Sequence, residues 1–212
     1  MALKALFYPD VSFDSLFIPY IYKEIYLDGV YVDVLNNRKD MVIMDVGANI
    51  GVTVQHFKDY AKKVYALEPS TEHFEALQKN CTFNEWKNVL PYKIALADKD
   101  GEMKLNLNNA NRTCHSLTND YGQSGELVTT KTFATFMKEH DIETVDFCKF
   151  DTEGAEDMIL RSEGFTSVAD RVKAIEVEFH YNTWPQLTDF MVSLGYQARR
   201  YPCSAIVILF TR

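Results

Sequence analysis

The chain has 212 residues, of which 47% are hydrophobic and 25% are charged, as expected for one globular domain with a full core. Its formal net charge of -8 argues against a broad surface that binds nucleic-acid phosphates. No apolar run approaches the roughly 18 residues that a membrane-spanning helix needs, and the N-terminus lacks a signal-peptide pattern. The four cysteines show neither C-x-x-C pairing nor metal-site spacing. We therefore expect a cytoplasmic protein with neither nucleic acid nor membrane as a partner.

Residues 1–40 are denser in aromatic side chains than the rest of the chain. A short helix is predicted over Ile21–Leu27, with Asp28-Gly29 as its end. We expect this segment to form an aromatic-rich cap on a main domain of residues 41–212. The cap either packs on the core or walls a binding site, to which it would contribute the polar groups of Glu24, Tyr26, Asp28 and Tyr31.

The stretch Met41–Gly51, MVIMDVGANIG, predicts a buried strand that breaks into a tight turn and opens a helix at about Ile50. Glycines let the backbone adopt positive φ and let a ligand approach closely. A helix N-terminus offers unpaired N–H groups to a polar ligand. Glu68 ends the next apolar run, where an acid in a βαβ unit can accept hydrogen bonds from ribose hydroxyls. This half of the chain is therefore predicted to hold a nucleoside.

The spacing of the glycines indicates which nucleoside. The dinucleotide fingerprint G-x-G-x-x-G, started at Gly47, requires glycine at positions that hold Asn49 and Val52. Asp45 precedes the first glycine, and a carboxylate there would repel a pyrophosphate but suits a cation. S-adenosylmethionine carries an ammonium and a sulfonium. The pattern therefore favours S-adenosylmethionine over a nicotinamide dinucleotide, and a plain strand-to-helix connection is the structural alternative.

Strand and helix patterns alternate along the chain, which predicts an α/β fold with a mainly parallel sheet and helices on both faces. The predicted strands are Met41–Val46, Lys63–Leu67, Val89–Leu96, Glu102–Leu107, Glu126–Thr130, Val145–Phe150 and Val172–Phe179. The predicted helices are Ile50–Tyr60, one capped by Ser70 or Thr71, Phe133–His140, Ala155–Arg161 and Thr183–Leu194. A C-terminal antiparallel hairpin pairs Tyr196–Tyr201 with Ala205–Phe210 around Pro202-Cys203-Ser204. The polar loop Asn106–Gly125 is long, and such loops are usually functional or disordered.

Polar residues end four of the predicted strands. In an open parallel sheet the carboxyl ends of the strands lie at one edge, and ligands bind there, at the point where the strand order reverses. The residues that would meet at this edge are Asp45, Glu68, Asp151, Glu178 and His180. This convergence predicts an active site.

The runs DVGANIG, ALEPS, ALADKDG, FCKFDTEGAE and IEVEFH, together with Asn80, resemble the FkbM family of class I S-adenosylmethionine-dependent methyltransferases. The resemblance covers roughly Val42–Tyr181, and Lys149–Glu156 is its most specific part. It implies a Rossmann-like fold with a seven-stranded sheet. It also implies O-methylation of hydroxyl groups on sugars, polyketides or similar small metabolites. The departures are mild: Leu67, Ala97 and Thr152 stand where family members often carry Phe, Ser and Val.

The resemblance also implies roles for individual residues. It places the turn of Asp45, Gly47, Asn49 and Gly51 around the methionine part of the cofactor and Glu68 at the ribose. The adenine would lie against Ala95-Leu96-Ala97, with Asp98 nearby. Asp151 would end its strand next to the transferable methyl group.

A hydroxyl acceptor must lose its proton during methyl transfer, and a general base contributes ~10²–10⁴-fold to such a step. His180 is the first candidate because its unperturbed pKa is near neutral. Asp151, Glu153 and Glu178 follow, although Glu153 could instead cap the next helix.

Three alternatives stay open from the residues. The oxygen and nitrogen atoms of Asp151, Glu153, Glu178 and His180 could ligate Mg²⁺ or Mn²⁺. We expect no metal, because their spacing is not a ligand signature. The chain could also be a nicotinamide-dependent oxidoreductase, or a non-catalytic cofactor-binding module of the same fold. The acceptor and the oligomeric state do not follow from the sequence.

Overall fold

The structure, a computed structural model, describes residues 29–111, 114–180, 183–201 and 206–212, together with Lys23 and Ile25. Most of the predicted N-terminal cap lies outside these residues, including Glu24, Tyr26 and Asp28. The turn Pro202-Cys203-Ser204 of the predicted hairpin also lies outside them. Within the described part of the chain, no helix has both the length and the apolar character needed to cross a bilayer.

The strands of the described residues form two sheets. They are β1 (Met41–Val46), β2 (Ala61–Leu67), β3 (Val89–Tyr92), β4 (Ala95–Leu96), β5 (Gly101–Asn106), β6 (Gly125–Lys131), β7 (Phe147–Phe150), β8 (Ala174–Phe179), β9 (Gln197–Arg200) and β10 (Ile206–Thr211). The larger sheet has seven strands in the order β3-β2-β1-β7-β8-β10-β9. Neighbours pair in parallel from β3 to β8, and β10 runs antiparallel to both β8 and β9. The predicted seven-stranded, mainly parallel sheet with a C-terminal antiparallel hairpin is confirmed.

The strand order of the large sheet reverses between β1 and β7. Strands β2 and β3 lie on one side of β1, whereas β7, β8 and the hairpin lie on the other. Such a reversal opens a crevice beyond the carboxyl ends of the two central strands.

Helices cover both faces of the large sheet. They are α1 (Val32–Leu35), α2 (Val52–Phe57), α3 (Thr71–Phe83), α4 (Phe133–Glu139), α5 (Glu156–Arg161), α6 (Glu163–Thr166) and α7 (Trp184–Ser193), and a 3₁₀ turn spans Ala169–Arg171. Successive residues of β1 point to opposite faces, so Ile43 belongs to the same hydrophobic cluster as Phe57 of α2, whereas Met44 belongs to the same cluster as Phe136 of α4. Thr132 caps α4 as predicted, since its Oγ1 accepts the N–H of Thr135 at 3.1 Å. Ser70 occupies the N-cap of α3 without a side-chain hydrogen bond.

The predicted strand Val89–Leu96 is two strands in the structure, and the second joins a separate sheet. After Tyr92 the chain leaves the large sheet, and β4 pairs in parallel with β6. The antiparallel pair β5 and β6 completes this small sheet, in the order β4-β6-β5. The break brings Ala95 and Leu96 to the edge at which the large sheet reverses.

Candidate active site

A cavity of about 510 Å³ lies at the carboxyl ends of β1, β2, β7 and β8, within the ~300–1,000 Å³ range of small-molecule sites. Nine of the residues predicted for the site are among those that line it: Gly47, Asn49, Glu68, Ala95, Leu96, Asp151, Glu153, Glu178 and His180. Three others do not line it: Asp45, Gly51 and Asp98. Ile25 and Tyr31, from the N-terminal segment, contribute to its wall.

The turn after β1 depends on two glycines. Gly47 has φ of +86°, and a Cβ built on it would lie 1.9 Å from the carbonyl oxygen of Asp151. Gly51 has φ of +95° at the N-cap of α2, and a Cβ there would lie 2.8 Å from Leu77 Cδ1. Between them, the carbonyl oxygen of Ile50 accepts a hydrogen bond from Asn80 Nδ2 at 2.8 Å. The turn therefore packs closely on its surroundings and leaves its inner side to the cavity.

Glu68 is fixed at the cavity wall by two backbone N–H groups. Asn49 donates to Glu68 Oε2 and Ser70 donates to Glu68 Oε1, each at 2.9 Å. His73 Nδ1 lies 3.8 Å from Oε1, and its ring stacks on that of His115 at a centroid distance of 4.8 Å. Each carboxylate oxygen keeps lone pairs for further donors, such as ribose hydroxyls.

Asp45 lies beneath the turn rather than in the cavity wall and is fully buried. Its Oδ2 accepts a hydrogen bond from Thr53 Oγ1 in α2. Burial raises the pKa of Asp45 to about 6, although Lys149 and Thr53 oppose the rise. Asp45 therefore supports the turn through Thr53, from a position outside the cavity lining.

The segment expected at the adenine divides in two. Ala95 and Leu96 are buried and line the cavity, together with Ile94. Asp98 is exposed and lies outside the lining.

Three of the predicted catalytic residues converge at the other end of the cavity. His180 Nε2 lies 3.5 Å from Asp151 Oδ1 and 3.4 Å from Glu153 Oε2. Glu153 has φ of +55°, an uncommon conformation for a residue other than glycine. Glu178, the fourth candidate, also lines the cavity. The four residues thus lie together where β7 and β8 end, as predicted.

The pKa values of His180 and Glu153 are raised, whereas that of Asp151 is lowered. Burial lowers the pKa of His180, but the hydrogen bond with Glu156 and the charges of Asp151 and Glu153 outweigh it and raise the pKa to about 9. Burial raises the pKa of Glu153 to about 7, against the opposing charge of His180. Burial also acts to raise the pKa of Asp151, but Lys149 and His180 hold it below its ordinary value. Near neutral pH, His180 is therefore a cation and Asp151 an anion.

The same groups meet the spacing of a metal site. Suitable atoms of Asp151, Glu153 and His180 lie within 4.8 Å of one another. With the pKa of His180 raised, the same three groups also form an ion-pair network.

Glu156 organises this network from behind, a role the sequence did not indicate. Its Oε1 accepts hydrogen bonds from the N–H of Thr152 at 2.9 Å, from Thr152 Oγ1 at 2.9 Å and from the N–H of Gly154 at 3.2 Å. The same oxygen lies 3.4 Å from His180 Nδ1, which directs Nε2 towards Asp151 and Glu153. Glu156, not Glu153, therefore satisfies the N–H groups that precede α5.

The loop predicted to be functional or disordered crosses the cavity. Among its described residues, Asn111, Cys114, His115 and Leu117 line the cavity. Ser116 is fully buried, and its Oγ donates to the carbonyl oxygen of Glu153 at 2.7 Å. The loop thus contacts both ends of the cavity, at His73 through His115 and at Glu153 through Ser116.

Lys149 is the second residue that sequence reasoning missed. It lines the cavity and is 4% exposed, and its Nζ lies 3.0 Å from Asp151 Oδ2 and 3.9 Å from Asp45 Oδ1. The signal was a lysine inside the apolar strand FCKF, because a buried ammonium requires anionic partners.

Comparisons with known proteins agree on one class. A sequence model of one protein family, described as the methyltransferase FkbM domain, matches residues 45–198. A methyltransferase FkbM from Methylobacillus flagellatus KT has 17% identity and a TM-score of 0.59, over 99% of this chain and 57% of that chain. The present chain therefore spans little more than half the length of that protein. No curated protein matches the chain.

Two further solved structures share the fold. A precorrin-6y C5,15-methyltransferase from Geobacter metallireducens GS-15 has 13% identity and a TM-score of 0.53, over 88% of this chain and 87% of that chain. TrmK from M. capricolum, solved with S-adenosyl-homocysteine, has 13% identity and a TM-score of 0.54, over 87% of this chain and 66% of that chain. Identities this low show the fold alone. The family match covers most of the chain, which therefore belongs to the FkbM methyltransferase family, within the S-adenosylmethionine-dependent class that its sequence predicts.

Proposed function

We propose that the chain transfers a methyl group from S-adenosylmethionine to a hydroxyl oxygen of a small molecule, such as a sugar or a polyketide. The observation that carries the proposal is one cavity with two chemically different ends. At the cofactor end lie Glu68 and the turn of Gly47 and Asn49. At the acceptor end lie Asp151, Glu153 and His180.

The cofactor end fits S-adenosylmethionine in its geometry and its charge. Both oxygens of Glu68 can still accept hydrogen bonds after binding two N–H groups. Gly47 lets the cofactor turn pack against the backbone of Asp151, which places the cofactor end beside the acceptor end. Carboxylates at both ends suit a ligand that carries an ammonium and a sulfonium. The TrmK structure, which contains S-adenosyl-homocysteine, supports this class of ligand for the fold.

The acceptor end supplies what methyl transfer to oxygen requires. When bound, S-adenosylmethionine offers a methyl group on a positively charged sulfur. The acceptor oxygen bonds to the methyl carbon as the carbon–sulfur bond breaks, the electron pair stays on sulfur, and the hydroxyl proton passes to a base. The protein positions the hydroxyl in line with that bond, which is worth ~7 kcal/mol or more, and accepts the proton.

The electrostatics favour Glu153 as the base near neutral pH. With a pKa of about 7, it is partly ionised and can take a proton and release it again. His180, the first candidate from the sequence, has a pKa of about 9 and holds its proton at neutral pH. We propose that His180 orients the carboxylates of Glu153 and Asp151 and acts as a base only at higher pH. Glu178 has no role in this proposal beyond lining the cavity.

Membership of a methyltransferase family gives no support to the nicotinamide-dependent alternative. A non-catalytic module is the alternative that an activity measurement has to test. It would bind the cofactor but transfer no methyl group to any acceptor.

The proposal is tested by incubating the purified protein with S-adenosylmethionine that carries a labelled methyl group. The acceptor panel contains sugars and polyketide-like phenols, with matched amines and ribosomal and transfer RNA as alternatives. We expect label in a small hydroxyl compound. Label in amines or RNA alone, or S-adenosylmethionine binding with no transfer to any member, would contradict the proposal.

Two variants then test the assignment of the base. Glu153→Gln should lower turnover by ~10²-fold or more while the affinity for S-adenosylhomocysteine stays unchanged. Glu143→Gln changes an exposed glutamate outside the cavity lining and should leave both quantities unchanged. Full turnover in Glu153→Gln would remove Glu153 as the base.

A further inference from the structure

Three ionisable side chains form a row across the centre of the large sheet. Asp45 in β1 is the register partner of Lys149 in β7, and Lys149 is the register partner of Glu176 in β8. All three are at most 4% exposed. Such a row inside a domain is costly unless its charges are paired. It lies directly below the cavity, whose floor Lys149 forms.

Lys149 connects the row to the acceptor end. Its Nζ donates a hydrogen bond to Asp151 Oδ2 at 3.0 Å. The other oxygen of that carboxylate, Oδ1, lies 3.5 Å from His180 Nε2. Asp151 is therefore held between two cations, with one oxygen turned to each. Rotation of the carboxylate away from His180 would break its hydrogen bond with Lys149.

Lys149 also contacts β1, the strand that leads into the cofactor turn, through Asp45. Asp45 Oδ1 lies 3.9 Å from Nζ and, within the described residues, has no hydrogen-bond partner. The other oxygen of Asp45 accepts from Thr53 at the start of α2. A continuous series of contacts thus runs from Thr53 through Asp45, Lys149 and Asp151 to His180.

We propose that Lys149 is a positioning residue, whose ammonium holds Asp151 so that Oδ1 faces His180 and the acceptor end is assembled on the cofactor turn. The proposal rests on the proposed function only in naming that end as the acceptor end. The charge of Lys149 is essential to this role. Burial disfavours that charge, but Asp151, Asp45 and Glu176 outweigh burial and raise the pKa of Lys149. A lysine that merely filled the core would be replaceable by methionine of similar shape.

The test follows the side-chain carboxyl carbon of Asp151 by NMR during an acid titration. In the wild-type protein we expect the pKa of Asp151 below its ordinary value. In Lys149→Met the carboxylate loses its strongest partner, so proton binding should tighten by about tenfold or more. Lys149→Arg restores the cation and should return the pKa towards that of the wild type. An unchanged Asp151 pKa in folded Lys149→Met would overturn the proposal.

Lys173→Met is the matched control. Lys173 Nζ lies 2.7 Å from Asp146 Oδ1, so this is another lysine and aspartate pair near the same sheet. Its removal should raise the pKa of Asp146 and leave that of Asp151 unchanged. An Asp151 pKa that moves equally in both variants would mean that the effect is not specific to Lys149.

Two measurements cover the case in which Lys149→Met does not fold. The double variant Asp45→Asn/Lys149→Met removes an anion and a cation together and keeps Asp151 as the reporter. In the wild-type protein, the Nζ resonance of Lys149 should shift with the same midpoint as the Asp151 carboxyl carbon. A Lys149 resonance that does not respond to protonation of Asp151 would overturn the proposal.

Calorimetry with S-adenosylhomocysteine separates this proposal from the proposed function. We expect its affinity to stay within about twofold in Lys149→Arg, because Glu68 and its two N–H donors are untouched. If the wild-type protein did not bind S-adenosylhomocysteine, the proposed function would be contradicted. The role of Lys149 would not be, because the Asp151 titration tests that role by itself.

Discussion

Gly47 and Asp151 are in such close contact that a single additional carbon on Gly47 would lie 1.9 Å from the carbonyl oxygen of Asp151. The two residues follow β1 and β7, which are neighbours at the point where the strand order reverses. The backbone segments that hold the two ends of the cavity therefore pack directly on each other. Their relative position is set by the absence of a side chain at residue 47.

Gly47→Ala should prevent this contact. The substitution strains a backbone at φ of +86° and also forces the two segments apart. Gly195→Ala is the control, since Gly195 has a similar φ of +93° and a Cβ built on it would have no atom within 4 Å. We expect both variants to lose ~1–3 kcal/mol of unfolding free energy from backbone strain, and Gly47→Ala to lose more. Urea unfolding measures this, and equal losses would show that the contact with Asp151 does not matter.

Glu68→Gln should weaken binding of S-adenosylhomocysteine. The amide nitrogen of glutamine cannot accept a hydrogen bond, so the N–H of Asn49 or Ser70 loses its partner, and one acceptor for the ribose is lost. We expect a loss of ~10–100-fold in affinity, or ~1.4–2.7 kcal/mol. Glu75→Gln, at an exposed position of α3, should bind as the wild type does. Equal affinities in calorimetry would rule out the assignment of Glu68 to the ribose.

Glu176 should make the folded state less stable as the pH rises. Burial raises its pKa from 4.5 to about 8, with the charges of Glu178 and Asp151 adding to the rise and Lys149 opposing it. A carboxyl group with a raised native pKa binds its proton more tightly when folded, so its contribution is lost as the pH rises from about 5 through 8. Glu176→Gln stays neutral, and its unfolding free energy should fall less over this window. If the unfolding free energies of the wild type and Glu176→Gln changed in parallel with pH, the raised pKa of Glu176 would be contradicted.

Binding at the cofactor end should order the loop that carries His115 and Ser116. Ser116 connects this loop to Glu153, and His115 stacks on His73 beside Glu68. We expect S-adenosylhomocysteine to slow amide hydrogen exchange across residues 107–124 and to protect them from proteases. Ser116→Ala should reduce that protection, whereas Ser124→Ala, at an exposed position, should keep it. Protection that is the same with and without the ligand would make the loop a plain connection.

Features that depend on neighbouring residues in the chain could be predicted from the sequence. The strand, glycine turn and helix from Met41 were predicted because the apolar run, the glycines and the helical spacing are all local. Thr132 was predicted as a cap for the same reason. The gathering of Glu68, Asp151, Glu178 and His180 followed from a parallel sheet alone, since the carboxyl ends of parallel strands share one edge.

Features that depend on contacts between distant segments could not be predicted. Nothing within Val89–Leu96 shows that its last residues pair with β6 rather than continue along the large sheet. The burial of Asp45 and its contact with Lys149 depend on the register between β1 and β7. Glu156 binds Thr152 and Gly154 because of the conformation of the loop before α5.

Calorimetry of the purified protein shows directly whether the cavity holds S-adenosylmethionine. S-adenosylmethionine and S-adenosylhomocysteine are titrated in turn, with NADH as the control. We expect micromolar binding of the first two and none of NADH. Absence of binding by S-adenosylmethionine and S-adenosylhomocysteine, or binding of NADH alone, would contradict this expectation.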